Sequence, residues 1–366
     1  MTYFDHAATS FPKPPEVRRA VLDAMEHCGN PGRGGHTQAM RAAEIMHECR
    51  MRCAGMFGCE TQQVVFTSGT TQGLNMAIKD LVSPGDRVVI SGFEHNAVMR
   101  PLYALGANIH VAGRKLFDQK DTLQEFESAM TEATKAVICT HVSNVFGYIL
   151  PIVRIAELCR KKGIPLIVDA AQSAGMLPLS LSQLGADYVA LPGHKGLLGP
   201  MGTGVLLCGR NPVRTLLEGG TGSLSREFEM PEFLPDRMEA GTPNVPGIAG
   251  LNAGIKLIEK IGIMNIFDQE MRLSEYILHN LEVSGKFCCY SGRNRSGVLS
   301  VQPRRESCEK TAERLAEKGF AVRAGLHCAP LAHDSAGTLE KGTLRISASF
   351  LHTREDADRL IDAMIM

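Results

Sequence analysis

Neither sign of charge dominates this 366-residue sequence, because 39 Lys and Arg residues balance 39 Asp and Glu residues to a formal net charge of zero. Proteins that bind nucleic acid usually carry a clear basic excess, so the balance argues against that class. The sequence also has no uninterrupted apolar run of about 18 residues, which argues against a membrane-spanning helix. The first residues, Met1 to His6, lack the basic and then apolar stretches of a secretory signal. We therefore expect a cytoplasmic protein that binds neither nucleic acid nor membrane.

What is present is typical of a globular protein. Hydrophobic residues make up 44% of the chain and charged residues 21%. The length is more than twice the roughly 150 residues of one typical domain, so we expect two domains with separate cores. The eleven cysteines are odd in number, and a chain of this length does not need disulfides to fold. In a reducing cytosol they are thiols, and the useful question is which thiol is placed to react.

Short apolar strings alternate with helix-length segments between about residues 60 and 208. The strings lie at residues 64–66, 88–90, 137–139, 166–168, 188–191 and 205–207. Strands that are buried on both faces have such near-continuous apolar sequences. Segments 123–133 and 152–162 between them have helical length and periodicity. This order predicts an α/β domain with a mostly parallel sheet.

The pattern changes after about Pro246. Long helical stretches at residues 248–260 and 271–281 precede short strands at 298–301 and 344–347. A final helix begins after Thr353, which is a suitable N-cap with Asp356 three residues further on. These elements predict a second, smaller α+β domain.

Polar residues follow five strands of the predicted sheet, where ligands of α/β proteins bind. They lie in the segments Thr67–Gly73, Glu94–His95, His141–Asn144, Asp169–Ser173 and Gly193–Lys195. Each segment alone has an ordinary explanation, such as a helix cap or a solvated loop. Pyridoxal phosphate, however, needs the whole set: a helix N-terminus for its phosphate, a flat face for its ring, an acid for its ring nitrogen and a lysine for a Schiff base.

With these segments the sequence resembles the class V aminotransferase superfamily of fold-type I pyridoxal-phosphate enzymes, and within it the cysteine desulfurases and selenocysteine lyases. The resemblance extends from residues 3–9 to residues 344–347 and includes Asn30–His36, Val168–Ser173 and Gly193–Lys195. It implies the PLP-dependent transferase fold of type I, with a large cofactor-binding domain at residues 15–247. Residues 1–14 and 248–366 would form the small α+β domain, and the active protein would be a homodimer.

The same resemblance implies roles for individual residues. Lys195 would form the Schiff base, Asp169 would pair with the ring nitrogen and His95 would stack on the ring. The further cofactor contacts would come from Asn144, Gln172, Thr70, Thr71, His194 and, reaching the partner subunit's phosphate, Thr221. Asn30 and His36 would border the substrate.

The segment Val322–Pro330 resembles the Arg-x-Gly-x-His-Cys-Ala segment of group II cysteine desulfurases, which implies that Cys328 is the catalytic cysteine. A thiolate is the nucleophile in such chemistry, and a neighbouring cation, here His327 or Arg323, would lower the thiol pKa. Arg345 could hold the α-carboxylate of an amino acid through its two-pronged guanidinium, with a surface strand arginine as the alternative. No metal is expected, since the spacing of the other cysteines lacks a second ligand pair.

The sequence thus predicts a cysteine desulfurase that converts L-cysteine to L-alanine and leaves a persulfide on Cys328, from which a sulfur-acceptor protein or small thiol takes the sulfur. The alternatives are a selenocysteine lyase acting on L-selenocysteine, another class V enzyme such as an aminotransferase or epimerase, and a non-catalytic sulfur-transfer partner. Two positions depart from the family pattern and bear on efficiency with cysteine. Leu326 stands where group II proteins often have a second histidine, and His6 stands where the family commonly has asparagine.

Overall fold

The computed structural model describes residues 1–32 and 34–366. It contains thirteen strands and twelve α-helices within those residues. The strands are β1 Thr2–Tyr3, β2 Val64–Thr67, β3 Arg87–Ser91, β4 Asn108–Ala112, β5 Thr134–Thr140, β6 Leu166–Asp169, β7 Tyr188–Pro192, β8 Gly204–Cys208, β9 Phe287–Tyr290, β10 Val298–Pro303, β11 Phe320–Ala321, β12 Arg323–Gly325 and β13 Thr343–Ser347.

The helices flank the sheets formed by these strands. They are α1 Pro15–His27, α2 Thr37–Phe57, α3 Thr70–Leu81, α4 Asn96–Ala104, α5 Gln119–Ala129, α6 Ile152–Lys162, α7 Leu181–Leu184, α8 Val245–Ile261, α9 Ile263–Ser284, α10 Cys308–Glu317, α11 Pro330–Ser335 and α12 Arg354–Ile365. No helix within residues 1–32 and 34–366 combines the length and the hydropathy needed to cross a membrane.

The large sheet has seven strands in the spatial order β2-β8-β7-β6-β5-β3-β4. The pairs from β4 to β7 are parallel, and β8 runs antiparallel to both of its neighbours. Every strand except β8 therefore ends at the same edge of the sheet. The mostly parallel α/β sheet predicted from the sequence is confirmed, and the residues leaving β2, β3, β5, β6 and β7 are brought to one edge.

Two apolar layers cover the two faces of this sheet. Alternate residues such as Val137 and Val168 face the layer that contains parts of α2, α6 and α8. Their neighbours, such as Ala136 and Ile167, face the layer that contains α3 and α4. Both faces are buried, which explains the continuous apolar strings in the sequence.

Two elements in this part of the chain, a strand and a helix, differ from the expectation. β4 was not expected, because its residues alternate between exposed and half-buried at the edge of the sheet instead of forming an apolar string. The expected helix at 123–133 is wrong in its bounds: α5 spans Gln119–Ala129 because the Asp118 side chain accepts a hydrogen bond from the Asp121 N–H and caps the helix earlier.

The second sheet has four antiparallel strands in the order β12-β13-β10-β9. Helices α9, α10 and α12 supply buried residues to a separate apolar cluster against it, and the N-terminal β1 pairs with β11 beside it. This region has the α+β composition expected after Pro246. The division at residues 15 and 247 stays a prediction, and α8, which begins at Val245, packs on α1 and α2.

Candidate active site

Lys195 follows β7 at the shared edge of the large sheet, where it lines a cavity of about 60 Å³. Burial lowers the pKa of its amine to about 8, and the charges of Arg345 and Arg323 act in the same direction. The carboxylate of Asp169 opposes this shift. An amine with such a pKa is unprotonated in about a tenth of the molecules at pH 7, far more than an ordinary lysine, and is suited to nucleophilic and proton-transfer chemistry.

Asp169 is the last residue of β6 and is buried. One carboxylate oxygen, Oδ1, accepts a hydrogen bond of 2.8 Å from the Ala171 N–H. Burial raises the pKa of the carboxyl, whereas that hydrogen bond and the charge of Lys195 lower it. A buried carboxylate of this kind is stabilised by a cationic partner, such as a protonated ring nitrogen placed against it.

His95 follows β3 and caps the N-terminus of α4. Its Nδ1 accepts a hydrogen bond of 3.0 Å from the Ala97 N–H, so the ring proton is on Nε2. Burial lowers the pKa of His95 to about 4, and the charge of Lys195 contributes to the shift. At neutral pH the site therefore contains an uncharged, flat imidazole close to the amine, which is suitable for stacking on an aromatic ring.

Glu94, the residue before His95, is a buried carboxyl to which the sequence analysis assigned no role. Its Oε1 accepts hydrogen bonds from the Ser91 hydroxyl and from the Thr140 N–H, at the ends of β3 and β5. Burial raises the pKa of Glu94 to about 8. The group thus joins two strand ends beneath the site, and no sequence pattern distinguishes it from an exposed loop glutamate.

The N-terminus of α3 presents a candidate anion site. The Thr70 hydroxyl is buried there and has no hydrogen-bond partner in the described residues, while Thr71 beside it is exposed. His194 also has a buried, unpartnered nitrogen, Nδ1. Burial lowers the pKa of His194 to about 4, so its ring is neutral at pH 7. An unpartnered hydroxyl at a helix N-terminus is what a bound phosphate would satisfy.

The N-terminal segment is also part of the site. The Gln172 amide donates a hydrogen bond of 2.9 Å to the carbonyl of Ala7, and Lys13 donates one of 2.8 Å to the carbonyl of His194. His6 lines the same small cavity as Lys195, and burial lowers its pKa to about 3. His6, one of the two positions that depart from the family pattern, is therefore a neutral ring in the cavity that Lys195 lines.

Cys328 lies in an exposed turn between β12 and α11. Both His327 and Cys328 have left-handed backbones, with φ of 49° and 57°. The Asn144 amide donates to the carbonyl of His327, and the Asn96 N–H donates to the carbonyl of Cys328, both at 2.8 Å. These two bonds hold the turn of the small sheet against the strand ends of the large sheet, next to His95.

His327 is not the cation that the sequence analysis considered for the thiol. Its ring is buried, and burial lowers its pKa to about 3, with the charge of Arg345 acting in the same direction. A neutral ring cannot favour a thiolate by charge. Of the two cations considered for the thiol, only Arg323 remains, and its side chain is half exposed.

Asp5 connects the two candidate arginines. Its Oδ1 accepts a hydrogen bond of 2.7 Å from Arg345 Nη2, and its Oδ2 accepts one of 2.9 Å from Arg323 Nε. Arg345 Nη1 donates to the carbonyl of Asn144 at 3.0 Å, while its Nε is buried without a partner in the described chain. Arg345 is buried, so the alternative of a surface arginine is wrong. Burial lowers its pKa, which Asp5 opposes.

Three expected residues lie apart from Lys195 in the single chain. Asn30 and Thr221 line a different cavity of about 830 Å³. His36 is exposed and caps α2, where its Nδ1 accepts from the Ala39 N–H. Arg33, in the same matching stretch as Asn30 and His36, lies outside the described residues. A site completed by a partner subunit would explain this separation, and these three roles stay predictions.

Comparison with known proteins identifies the family. The class V aminotransferase family matches residues 2–360. The chain belongs to this family. Class V aminotransferases are pyridoxal-phosphate enzymes.

Several members of this family with known names resemble the chain over nearly its whole length. A probable cysteine desulfurase of Methanothermobacter thermautotrophicus is 33% identical over 98% of this chain and 92% of its own. A cysteine desulfurase of Escherichia fergusonii is 32% identical over 100% of this chain and 92% of its own. The apo structure of cysteine desulfurase from Thermococcus onnurineus NA1 superposes with a TM-score of 0.90 at 29% identity, covering 99% and 93% of the two chains. These relatives confirm the fold-type I architecture and group the chain with the cysteine desulfurases.

Proposed function

We propose that this protein is a pyridoxal-phosphate-dependent cysteine desulfurase, which converts L-cysteine to L-alanine and forms a persulfide on Cys328. The observation that carries the proposal is the placement of Cys328. The cysteine is exposed, yet two hydrogen bonds hold its turn at the edge where Lys195 and Asp169 lie. The Asn96 N–H donates to the carbonyl of Cys328, and the Asn144 side-chain amide donates to the carbonyl of His327. An exposed thiol so placed can meet both a bound substrate and an acceptor from solution.

The residues at the edge of the large sheet suit pyridoxal phosphate. The unpartnered Thr70 hydroxyl and His194 nitrogen would hold the phosphate with the N-terminus of α3, and Thr71 adds a second hydroxyl. His95 would cover the ring, and Asn144 and Gln172 would contact its hydroxyl. Asp169 would keep the ring nitrogen protonated, which lets the bound ring accept electrons from the carbon atoms of an amino acid.

The chain's own groups account for the remaining steps. Lys195, with a pKa of about 8, can take a proton from the substrate's Cα and return one near neutral pH. The Nε–H of Arg345 has no partner in the described residues and would bind the substrate carboxylate, with Asp5 holding the guanidinium in place. Asn30 and His36 would border the substrate from the partner subunit.

The sulfur transfer balances without an external oxidant. The Cys328 sulfur attacks the sulfur of L-cysteine, so an S–S bond forms while the C–S bond breaks. The electron pair of the C–S bond remains on the carbon fragment, which takes up a proton at Cβ and leaves as alanine. The persulfide remains on Cys328 until a small thiol or a sulfur-acceptor protein removes its outer sulfur by thiol exchange.

We also propose that the protein is a homodimer and that it is cytoplasmic.

The first test is alanine release from L-cysteine by the purified protein loaded with pyridoxal phosphate, in excess reductant. We expect release by the wild type and none above background by Cys328→Ala. Cys288→Ala is the matched control, since Cys288 is also an exposed thiol and lies on β9 of the same sheet. We expect that variant to behave as the wild type.

Two outcomes would redirect the proposal. If Cys328→Ala still releases alanine from L-selenocysteine but not from L-cysteine, the cysteine serves only sulfur substrates. If the wild type releases no alanine from L-cysteine, the desulfurase function is wrong.

A further inference from the structure

Two buried imidazoles lie directly behind Cys328. His327 precedes the cysteine, and His333 lies in α11, which follows it. Their ring centroids are 5.7 Å apart, with 33° between the ring planes. Each ring has one buried nitrogen without a hydrogen-bond partner in the described residues: Nδ1 of His327 and Nε2 of His333. Unsatisfied buried polar atoms are uncommon in folded proteins, and two on adjacent rings suggest a shared partner such as a buried water.

The partners of His327 determine which of its nitrogens carries the proton. The Ser300 hydroxyl donates to the carbonyl of Val145 at 2.6 Å, so at the Ser300–Thr343 contact of 3.0 Å the Thr343 hydroxyl is the donor. His327 Nε2 lies 3.1 Å from the carbonyl oxygen of Thr343 and 3.2 Å from its hydroxyl oxygen. Because a carbonyl only accepts, Nε2 is protonated and Nδ1 is a bare acceptor. His327 therefore lacks a donor at Nδ1.

The contacts of His333 determine which of its own nitrogens carries the proton. His333 Nδ1 lies 2.7 Å from the Thr338 hydroxyl, whose other acceptor, the carbonyl of His333, is 3.4 Å away. The carbonyl of His333 already accepts from the Thr338 N–H at 2.8 Å, so we assign the hydroxyl proton to the short contact with Nδ1 and the ring proton to Nε2. With this assignment His333 has a donor without an acceptor, and the adjacent ring of His327 has an acceptor without a donor.

We propose that His333 is a positioning residue for the reactive cysteine: one buried water accepts from its Nε2–H and donates to His327 Nδ1, and this link holds the turn that presents Cys328. The inference rests on the proposed function. It completes a chain of hydrogen bonds that begins at Thr338, passes through both imidazoles and Thr343, and ends on the small sheet at Ser300.

The backbone of the turn explains why such a support is needed. Two consecutive residues other than glycine are held in the left-handed region, at His327 and Cys328, which is unfavourable unless the surroundings impose it. The Cys328 side chain is exposed, so packing does not fix its position. Burial lowers the pKa of His327 to about 3 and that of His333 to about 4, so both rings remain neutral and keep this hydrogen-bond direction across the working pH range.

The test compares two amides at position 333 in the loaded enzyme. His333→Asn places an amide where Nδ1 contacts Thr338 but does not reach His327, whereas His333→Gln extends an amide N–H toward His327. We expect His333→Asn to lower kcat for alanine release and the rate of Cys328 alkylation by iodoacetamide about tenfold, the effect of one buried hydrogen bond. The visible absorbance of the cofactor and KM for L-cysteine should not change, and His333→Gln should restore both rates to within about twofold of the wild type.

Controls separate this inference from folding and from the proposed function. His279→Gln, on the exposed face of α9, should match the wild type. Thr338→Val leaves His333 in place and removes its Nδ1 partner, so it should lower the same two rates by a smaller factor. This variant tests the inference if the variants at position 333 do not fold. Equal losses in His333→Asn and His333→Gln, or unchanged rates in both His333→Asn and Thr338→Val, would overturn the inference. Alkylation needs no substrate, so it tests the hydrogen bond even if the wild type does not desulfurate cysteine.

Discussion

At the scale of single residues, burial sets the protonation state of the candidate site. It makes Lys195 a weaker base than a solvated lysine, and it keeps the rings of His95 and His327 neutral at pH 7. It also favours the protonated form of Glu94. The edge of the large sheet therefore holds fewer charges than its sequence suggests, which favours proton transfer between neutral groups.

Glu94 provides a pH prediction. Its pKa rises from the ordinary value near 4.5 to about 8 in the folded protein, so the folded state holds the proton in a window where the unfolded state has lost it. The contribution of Glu94 to the unfolding free energy should fall as pH rises from 5 to 8, by roughly 3 kcal/mol. Glu94→Gln should remove this dependence, since the amide keeps the acceptor for Ser91 and Thr140 and does not ionise.

Urea unfolding of the wild type and Glu94→Gln at several pH values measures the effect. Glu340→Gln is the control, because Glu340 is exposed. Parallel pH profiles for the wild type and Glu94→Gln would contradict the assignment.

At the scale of secondary-structure elements, local sequence located several of the strands and helices, although α9 begins at Ile263, eight residues before the helix expected at 271–281. The apolar strings became strands because both faces of the large sheet are covered, and α12 begins after the cap at Thr353 that was predicted from its sequence. β4 was missed because an edge strand does not need a continuous apolar string. The bounds of α5 were missed because the cap at Asp118 was not recognised.

The cap of α12 gives a stability prediction. The Thr353 hydroxyl accepts from the Asp356 N–H at 3.2 Å, and the Asp356 carboxylate accepts from the Thr353 N–H at 3.0 Å. Thr353→Ala should lower the unfolding free energy by about 1 kcal/mol, while Thr353→Ser, which keeps the hydroxyl, should lose only a small part of it. Chemical unfolding of the three proteins measures this, and equal losses for Ala and Ser would show that the cap does not stabilise the helix.

At the scale of the whole molecule, contacts between segments distant in sequence join the two sheets. Asp5 near the N-terminus accepts hydrogen bonds from Arg345 on β13 and Arg323 on β12. Asn144 at the end of β5 and Asn96 at the start of α4 hold the cysteine turn. The substrate side of the proposed site therefore depends on how the small sheet docks against the large one.

Thr221 gives a prediction about assembly. If it contacts the phosphate in the partner subunit, Thr221→Ala homodimers should bind the cofactor about tenfold more weakly, the cost of one lost hydrogen bond to an anion. Mixed dimers of Thr221→Ala with Lys195→Ala should regain tight binding at one site, since that site keeps its own Lys195 and an unaltered Thr221 from the partner. Cofactor titration of purified mixed dimers measures this. Mixed dimers that bind as weakly as the Thr221→Ala homodimers would contradict the assignment to the partner subunit.

The sequence by itself determined the fold class, the strand exits that carry Asp169 and Lys195, and the segment around Cys328. It could do so because buried strands and short catalytic motifs are properties of adjacent residues. Only the tertiary structure decided that Asp5 holds Arg345, that His327 is neutral and that His333 lies behind the cysteine. Burial and contacts between distant segments depend on how the chain packs, and no local pattern in the sequence encodes them.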